Sequence, residues 1–200
     1  MTHGSIRGGS DFAMSSAGVQ RFAESPRHAL AAGAGGVRDL WVERDDVRGL
    51  QWQLQLVELR GPHGLIQLPE DTDQLIVGIS GAQVNVQADN TRPAPLRRDQ
   101  ALLSHASFVD FHRPGIRGIG LSRVLVLSSA ASLADATFDA TAADGDFRVS
   151  PSTLALVVLR GGVKVGSVAA GRESAIIFDS AEPLSAVATS AQVLRFARPS

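Results

Sequence analysis

The side chains best suited to chemistry are the histidines and the carboxylate gathered in residues 104–113. This segment contains His105, Asp110 and His112, and an imidazole beside a carboxylate can accept and release protons near neutral pH. Another histidine, His63, lies among glycine and proline residues that predict a loop leading into a barrel. The sequence therefore allows a metal-independent enzyme such as an isomerase or lyase, although no nucleophile elbow or glycine-rich oxyanion turn supports hydrolysis.

Arginine side chains offer the other chemistry, the binding of small acids. Arg38 and Arg123 lie in two similar segments, Val37–Val42 and Ser122–Leu127, which we interpret as equivalent positions of two related halves. A guanidinium can hold a carboxylate through two parallel hydrogen bonds, so a pocket lined by Arg38 would bind a small carboxylic acid. The alternative is that each arginine is exposed or pairs with a neighbouring acid such as Asp39.

Composition limits the partners of the chain. The 200 residues include 19 Lys and Arg against 20 Asp and Glu, which gives a formal net charge of -1. We therefore expect no binding to nucleic acid or to an anionic membrane surface. The absence of cysteine excludes disulfides, a thiol nucleophile and thiolate metal ligands. No apolar run approaches the roughly 20 residues of a membrane span, so we expect a cytoplasmic protein.

The elements that must position these side chains are predicted to be strands. From Val37 onward, short runs rich in Val, Leu and Ile alternate with Gly, Pro, Asp and Asn. In the run Gln51–Leu59, Trp52 and three alternating residues share one face, while the other face is mostly amide. This pattern predicts a strand with one packed and one hydrated side, with Trp52 more often core filling than a ligand platform.

An internal repeat organises the strands into two halves. Three pairs of segments match in the same order: Val37–Val42 with Ser122–Leu127, Leu75–Val84 with Leu156–Val165, and Asp99–Leu103 with Glu173–Ile177. The sequence therefore predicts an all-β, bicupin-like double barrel or sandwich with little helix. We assign 1–18 to a flexible arm or tag remnant, 19–129 to the first half and 130–200 to the second. Ala130–Ala143 is predicted to be a linker or a strand with a loop.

The order of strands within each half is similar to that of cupins, but the residues that hold metal in those enzymes are missing. A metal cupin carries a His-x-His pair and a Glu before the hairpin and a further His after it. Here His63 is the one histidine between Gly61 and Gly81, and the chain from Ala130 onward contains none. Three or four ligands are needed for a catalytic metal. We therefore expect no metal and no cofactor.

Three stretches follow one another after residue 33: Gly35-Gly36-Val37-Arg38-Asp39-Leu40, Trp52-Gln53, and the segment from Gly61 to Gln74. In this order they resemble the HutD/Ves family of bicupins, which is associated with histidine utilisation operons. Family members read Gly-Gly-x-Thr-Arg-Glu-Ile, then Trp-Arg, then Gly-Pro-Phe-Ser-x-Phe-Pro-Gly-x-Asp-Arg. The resemblance covers most of the chain after residue 33.

The resemblance implies a non-catalytic protein that binds or senses a small carboxylic acid such as formylglutamate. The candidate ligand-binding residues are then Arg38, Trp52, His63, Asp73 and Arg123, with no catalytic residue assigned. Two polar positions depart from the family pattern, because Gln74 replaces an arginine and Leu30–Ala34 replaces a Trp-Lys-Asn lead-in. A degenerate scaffold that acts through a protein partner is therefore a further alternative. We expect a homodimer, since cupins commonly pair through edge strands.

Overall fold

The computed structural model describes residues 17–46, 49–89, 91–114, 120–133, 138–178 and 183–197. One 3₁₀ turn, Phe22–Glu24, is the helical segment of these residues, and no helix among them is long and apolar enough to cross a membrane. The strands of the described residues are β1 (Ala17–Arg21), β2 (Arg27–His28), β3 (Ala32–Asp45), β4 (Gly49–Gln67), β5 (Asp73–Ser80), β6 (Val84–Ala88), β7 (Ala94–Leu96), β8 (Ala101–Ser104), β9 (Phe108–His112), β10 (Ser122–Ser129), β11 (Phe138–Val149), β12 (Thr153–Val165), β13 (Val168–Ala170), β14 (Ser174–Phe178) and β15 (Leu184–Ala197).

These strands form two sheets, and the prediction of an all-β chain is confirmed. The larger sheet follows the order β7-β6-β9-β4-β10-β5-β8, with β3 paired to β4 and β2 paired to β3. The smaller sheet follows the order β1-β14-β12-β15-β11, with β13 paired to β12. Every pairing between these strands is antiparallel.

Strand β4 connects most of the larger sheet. It pairs with β3 along one edge, while its other edge pairs first with β10 and then with β9. Leu54 and Leu56 face the smaller sheet, whereas Val57 and Leu59 face the inside of their own sheet, and all four are fully buried. The predicted hydrated side is therefore wrong at Val57 and Leu59, because the sheet curls round and buries its second face as well.

Three apolar clusters stabilise the fold by removing side chains from water. One cluster lies between the sheets and draws on both of them, including Leu54, Leu125, Leu154 and Phe196. The other two each lie within a single curled sheet, and both are filled with aliphatic and phenyl side chains. The interiors of both curled sheets are thus packed mainly with apolar side chains, with buried Gln74 and Ser128 among them in the larger sheet.

The division between the sheets changes two expectations from the sequence. Segments Val37–Val42 and Ser122–Leu127 belong to β3 and β10 of the same sheet, on either side of β4, so they do not relate one half to the other. The end of the predicted arm, at residues 17 and 18, belongs to β1 of the smaller sheet, and residues 1–16 lie outside the described residues. Within the predicted linker, the chain from Phe138 onward forms β11.

Candidate functional site

Three neighbouring strands gather arginines around one buried carboxylate, Glu58. Glu58 lies on β4 opposite Arg123 of β10, and Arg38 lies on β3 opposite the residue two positions before Glu58. Alternation along a strand places these side chains on the face that looks toward the smaller sheet. Glu58 Oε2 is 3.4 Å from Arg38 Nε, and Glu58 Oε1 is 3.4 Å from Arg123 Nε. Arg27 adds a third, longer contact of 3.8 Å.

This network gives Arg38 and Arg123 different surroundings from those expected. Arg38 pairs with Glu58 and donates to the carbonyl of Ser25. It does not line the cleft described below. Asp39, the acid expected beside Arg38, instead accepts hydrogen bonds from the amides of two glutamines on β4. The interpretation of Arg38 and Arg123 as equivalent residues of two halves is wrong, because both lie in the larger sheet.

The Arg123 side chain lines a cleft between the two sheets. The cleft has a volume of about 170 Å³. A wider groove of about 580 Å³ shares Arg160 and Gln192 with it, so the two cavities adjoin at these side chains. Its apolar lining comes from Phe22, Ile79 and Leu159, and its polar lining is formed by Ser80, Arg98, Arg123, Arg160, Arg172, Glu173 and Gln192.

Glu173 is the carboxylate of the cleft, and two arginines hold it. Arg123 Nη1 donates to Glu173 Oε1 over 2.7 Å, and Arg172 Nη2 approaches the same oxygen at 3.4 Å. Burial by itself would raise the pKa of Glu173, but the hydrogen bond and charge of Arg123, aided by Arg172, outweigh burial and hold that pKa below its ordinary value. Glu173 therefore stays ionised and fixes the Arg123 guanidinium across the two sheets.

The other two arginines of the cleft are less neutralised. Arg98 donates to the amide oxygen of Gln192, which joins the larger sheet to β15. Its Nε is also 3.4 Å from the Asp99 carboxylate. The Arg160 side chain is exposed and has no hydrogen bond or ion pair with any described residue, although its backbone pairs with Gln192. Arg160 thus presents a guanidinium free to bind an anion.

Sequence reasoning did not identify Arg98, Arg160, Arg172 or Gln192 as site residues. They come from separate elements that only the sheet topology brings together. One signal was available, because Arg98 and Arg172 each directly precede the acid of a repeated segment, Asp99–Leu103 or Glu173–Ile177.

Two of the remaining candidates lie outside this cleft. Trp52 packs against the core between the sheets. Asp73, at the start of β5, accepts a hydrogen bond from the backbone N–H of Leu133 and lies 2.9 Å from His105 Nδ1. The pKa of Asp73 is lowered first by the Leu133 hydrogen bond and then by His105. These contacts tie the start of β5 to the segment that follows β10.

His63 also lies away from the cleft, and its predicted loop is wrong. The chain remains extended through Gly61 and Pro62, so that His63 belongs to β4 and pairs with His112 of β9. Buried Ile66 and Phe111 on the same two strands point into the barrel, so both imidazoles lie on its outer face. His105 contacts Asp73 and not these rings, so the histidines of residues 104–113 divide between two places.

The residues inside the barrels do not fit a metal ion of the cupin kind. The inward-facing positions are mainly apolar in both curled sheets, and the buried polar side chains among them are an amide and hydroxyls: Gln74, Ser122, Ser128 and Ser174. In the part of the chain that the structure describes, no group of three or more His, Cys, Asp or Glu is arranged to hold a metal. Metal chemistry within the barrels would need ligands that these positions lack.

Comparison with solved structures shows close agreement in fold. HutD from Pseudomonas fluorescens SBW25, in a structure titled with a formate condition, superposes with a TM-score of 0.68 at 17% identity over 91% of this chain and 97% of that one. A conserved protein of unknown function from Pseudomonas aeruginosa PAO1 gives 0.71 at 19% identity over 91% and 97%. Escherichia coli Ylba gives 0.68 at 9% identity over 94% of each chain. The sequence matches no family model and no curated protein.

The two curled sheets and these comparisons define an all-β cupin fold. The particular likeness is to HutD, which confirms the sequence resemblance at the level of the fold.

Proposed function

We propose that this protein is a non-catalytic, HutD-like binding or regulatory protein that holds a small carboxylic acid in the cleft between its two sheets. The observation that carries the proposal is the arginine content of the cleft. Arg98, Arg123, Arg160 and Arg172 line it together with a single carboxylate, Glu173. A carboxylate is the ligand that guanidinium groups recognise through paired hydrogen bonds.

The charge balance around the cleft supports an anionic ligand. Glu173 occupies Arg123 and Arg172, and Asp99 contacts Arg98, which leaves Arg160 without a partner among the described residues. When the neighbours of these groups are included, six arginines face three carboxylates: Arg27, Arg38, Arg98, Arg123, Arg160 and Arg172 against Glu58, Asp99 and Glu173. Binding of one carboxylate would reduce this excess of positive charge within a partly enclosed space.

The dimensions of the cleft favour a small acid. Its volume of about 170 Å³ lies below the range of roughly 300–1,000 Å³ that is usual for drug-sized ligands. Phe22, Ile79 and Leu159 add apolar contacts that an aliphatic carbon chain could cover. We therefore expect a short mono- or dicarboxylic acid to bind better than a large aromatic one.

The lack of cysteine is compatible with a reducing cytoplasm, which stays our expected location.

A thermal-shift screen at low ionic strength tests this proposal. Formate, acetate, succinate, glutamate and N-formylglutamate are compared with chloride at equal ionic strength. A ligand present at 100 times its dissociation constant should stabilise the protein by about 2.7 kcal/mol. We expect one carboxylate to raise the melting temperature clearly above the chloride control, and this shift to shrink in Arg160→Ala.

Phosphate is tested in the same screen, and two results would contradict the proposal. An equal effect of phosphate would show a general oxyanion site and contradict selectivity for a carboxylic acid. No shift with any acid would contradict the binding proposal. The apolar filling of both barrels would then favour a scaffold that acts through a protein partner.

A further inference from the structure

The outer wall of the larger barrel carries a pair of histidines that the cleft does not use. The register of β4 and β9 places His63 directly opposite His112. Their ring centroids are 4.6 Å apart and the rings are tilted by 37°. The two Nδ1 atoms are 3.4 Å apart, and both side chains are exposed. Both imidazoles are therefore open to solvent on this face.

We propose that His63 and His112 form a surface binding site for a divalent late transition-metal ion, with Zn²⁺ the best fit. Histidine nitrogens bind Zn²⁺ at 2.0–2.1 Å, and two such ligands at a tetrahedral angle lie about 3.3–3.4 Å apart. The observed Nδ1 separation of 3.4 Å matches this spacing. At the right angle of an octahedral or square site, the same bond lengths would require about 2.9 Å.

Both rings can present Nδ1 to a metal ion once the proton on one of them changes its position. Without metal, the close approach of the Nδ1 atoms requires one ring to carry its proton on Nδ1 and the other to present a lone pair. With metal, both rings direct a lone pair from Nδ1 to the ion and keep their proton on Nε2. The conversion moves one proton from Nδ1 to Nε2 of the same ring by exchange with water, so the only covalent bonds that change are these N–H bonds.

The site differs in place and ligand number from a metal centre inside a cupin barrel. It lies on the outer face, and no group of three His, Cys, Asp or Glu suited to a metal occurs in the described ranges. Water therefore completes the coordination. Asn85 of β6 pairs with His112 on the side away from His63, which places an amide next to the pair. Imidazole ligands select zinc, nickel and copper over the hard ions magnesium and calcium.

Isothermal titration calorimetry with ZnCl₂ tests the site in full-length protein without a polyhistidine tag. The parent and all variants carry His3→Ala, which removes the histidine outside the described residues. We expect one Zn²⁺ per chain, no binding of Mg²⁺, and a loss of affinity of more than about tenfold in both His63→Ala and His112→Ala. His105→Ala is the matched control, because it also removes an exposed imidazole, and should bind Zn²⁺ as the parent does.

The controls separate loss of a ligand from loss of the fold. Both histidines are exposed, so the melting temperature without metal should remain that of the parent in each variant. Unchanged Zn²⁺ affinity in either His63→Ala or His112→Ala would overturn the proposal. A parent protein that gives no binding heat and no melting shift with Zn²⁺ would overturn it too, and would leave the pair as a hydrogen bond between two rings.

Discussion

Asp99 and Glu173 adopt the same left-handed backbone conformation, with φ angles of 59° and 58°, at matching points of the two sheets. Asp99 donates its backbone N–H to the carbonyl of Gly78 on β5 over 2.8 Å, and Glu173 donates to Val158 on β12 over 2.7 Å. Each acid also precedes the short strand that pairs with that partner, β8 or β14. This positive φ is uncommon for a residue with a side chain.

The correspondence explains how one cleft receives arginines from both sheets. Arg98 directly precedes Asp99, and Arg172 directly precedes Glu173. Each sheet therefore contributes one of these arginines to the cleft. Strained backbone of this kind costs on the order of 1–3 kcal/mol and persists where surrounding contacts hold it. Here those contacts are the backbone hydrogen bonds to β5 and β12, which fix both arginine–acid pairs.

The pH dependence of stability should depend in part on Glu173. Because Arg123 and Arg172 hold its pKa below the ordinary value of 4.5, ionised Glu173 stabilises the folded state above that pH. This contribution is lost as the pH falls through the lower folded-state pKa. Urea unfolding, followed between pH 3 and 7 by tryptophan fluorescence, should show that Glu173→Gln loses less stability than the parent below about pH 4.5.

A parent and a Glu173→Gln variant that differ by the same free energy at every pH would contradict this account. Fluorescence suits the measurement because Trp41 and Trp52, both of the chain's tryptophans, pack against the core between the sheets.

Removal of the Glu58 charge should destabilise the larger sheet. Glu58 Oε1 and Oε2 face Arg123 and Arg38, and the Glu58 side chain is 7% exposed. Breaking such a pair leaves guanidinium charge without compensation, and the partial exposure of both arginines reduces the penalty. We expect Glu58→Gln to lower the free energy of unfolding by about 2–3 kcal/mol in urea titrations. The matched variant Glu70→Gln, at an exposed position, should change it by less than about 0.5 kcal/mol; equal effects would refute the role of Glu58.

Asp73 should contribute to stability mainly through its backbone partner. It accepts the N–H of Leu133 at 2.9 Å and a hydrogen bond from the Ser132 side chain, whereas His105, a further partner, is 69% exposed. We expect Asp73→Asn to cost about 1 kcal/mol, because a charged acceptor of a backbone hydrogen bond is lost. His105→Ala should cost less than about 0.5 kcal/mol. A larger loss in His105→Ala than in Asp73→Asn, measured by urea unfolding, would show that the histidine is the dominant contact.

Gly78 is needed where the segment before β8 crosses β5. A Cβ atom at this position would lie 2.3 Å from the carbonyl oxygen of Arg97, which belongs to the backbone and cannot rotate away. Gly78→Ala should therefore destabilise the protein by about 1–3 kcal/mol. Gly18→Ala, where nothing lies within 4 Å of the added atom, should have little effect. If thermal unfolding of the two variants is the same, the close approach at Gly78 is not a constraint.

The fold could be predicted from the sequence because its signals are local. Runs of valine, leucine and isoleucine mark strands such as β5 and β12, and the segments around Asp99 and Glu173 share a conformation as well as a pattern. The exception is the predicted equivalence of segments in β3 and β10, which both pair with β4 in one sheet. Buried strands of the same sheet have similar apolar patterns whether or not they derive from a repeat.

The site was less predictable, because its contacts depend on strand register. The partner of Arg38 and Arg123 is Glu58 on the strand between them, and no sequence spacing relates these three residues. His63 was predicted in a loop from Gly61 and Pro62, yet these residues continue β4. Arg160 and Gln192 carry no sequence signal of their own, since they reach the cleft only through the pairing of β12 with β15.

Calorimetric titration with the best acid from the thermal-shift screen tests directly whether the cleft between the sheets binds a small carboxylic acid. The parent is compared with the double variant Arg160→Ala/Arg172→Ala and with Arg92→Ala, which removes an exposed arginine that does not line the cleft. We expect one acid to bind per chain, with an affinity that the double variant weakens by at least about tenfold, or 1.4 kcal/mol, and that Arg92→Ala leaves unchanged. Equal affinity in all three proteins would contradict the assignment of the cleft as the binding site.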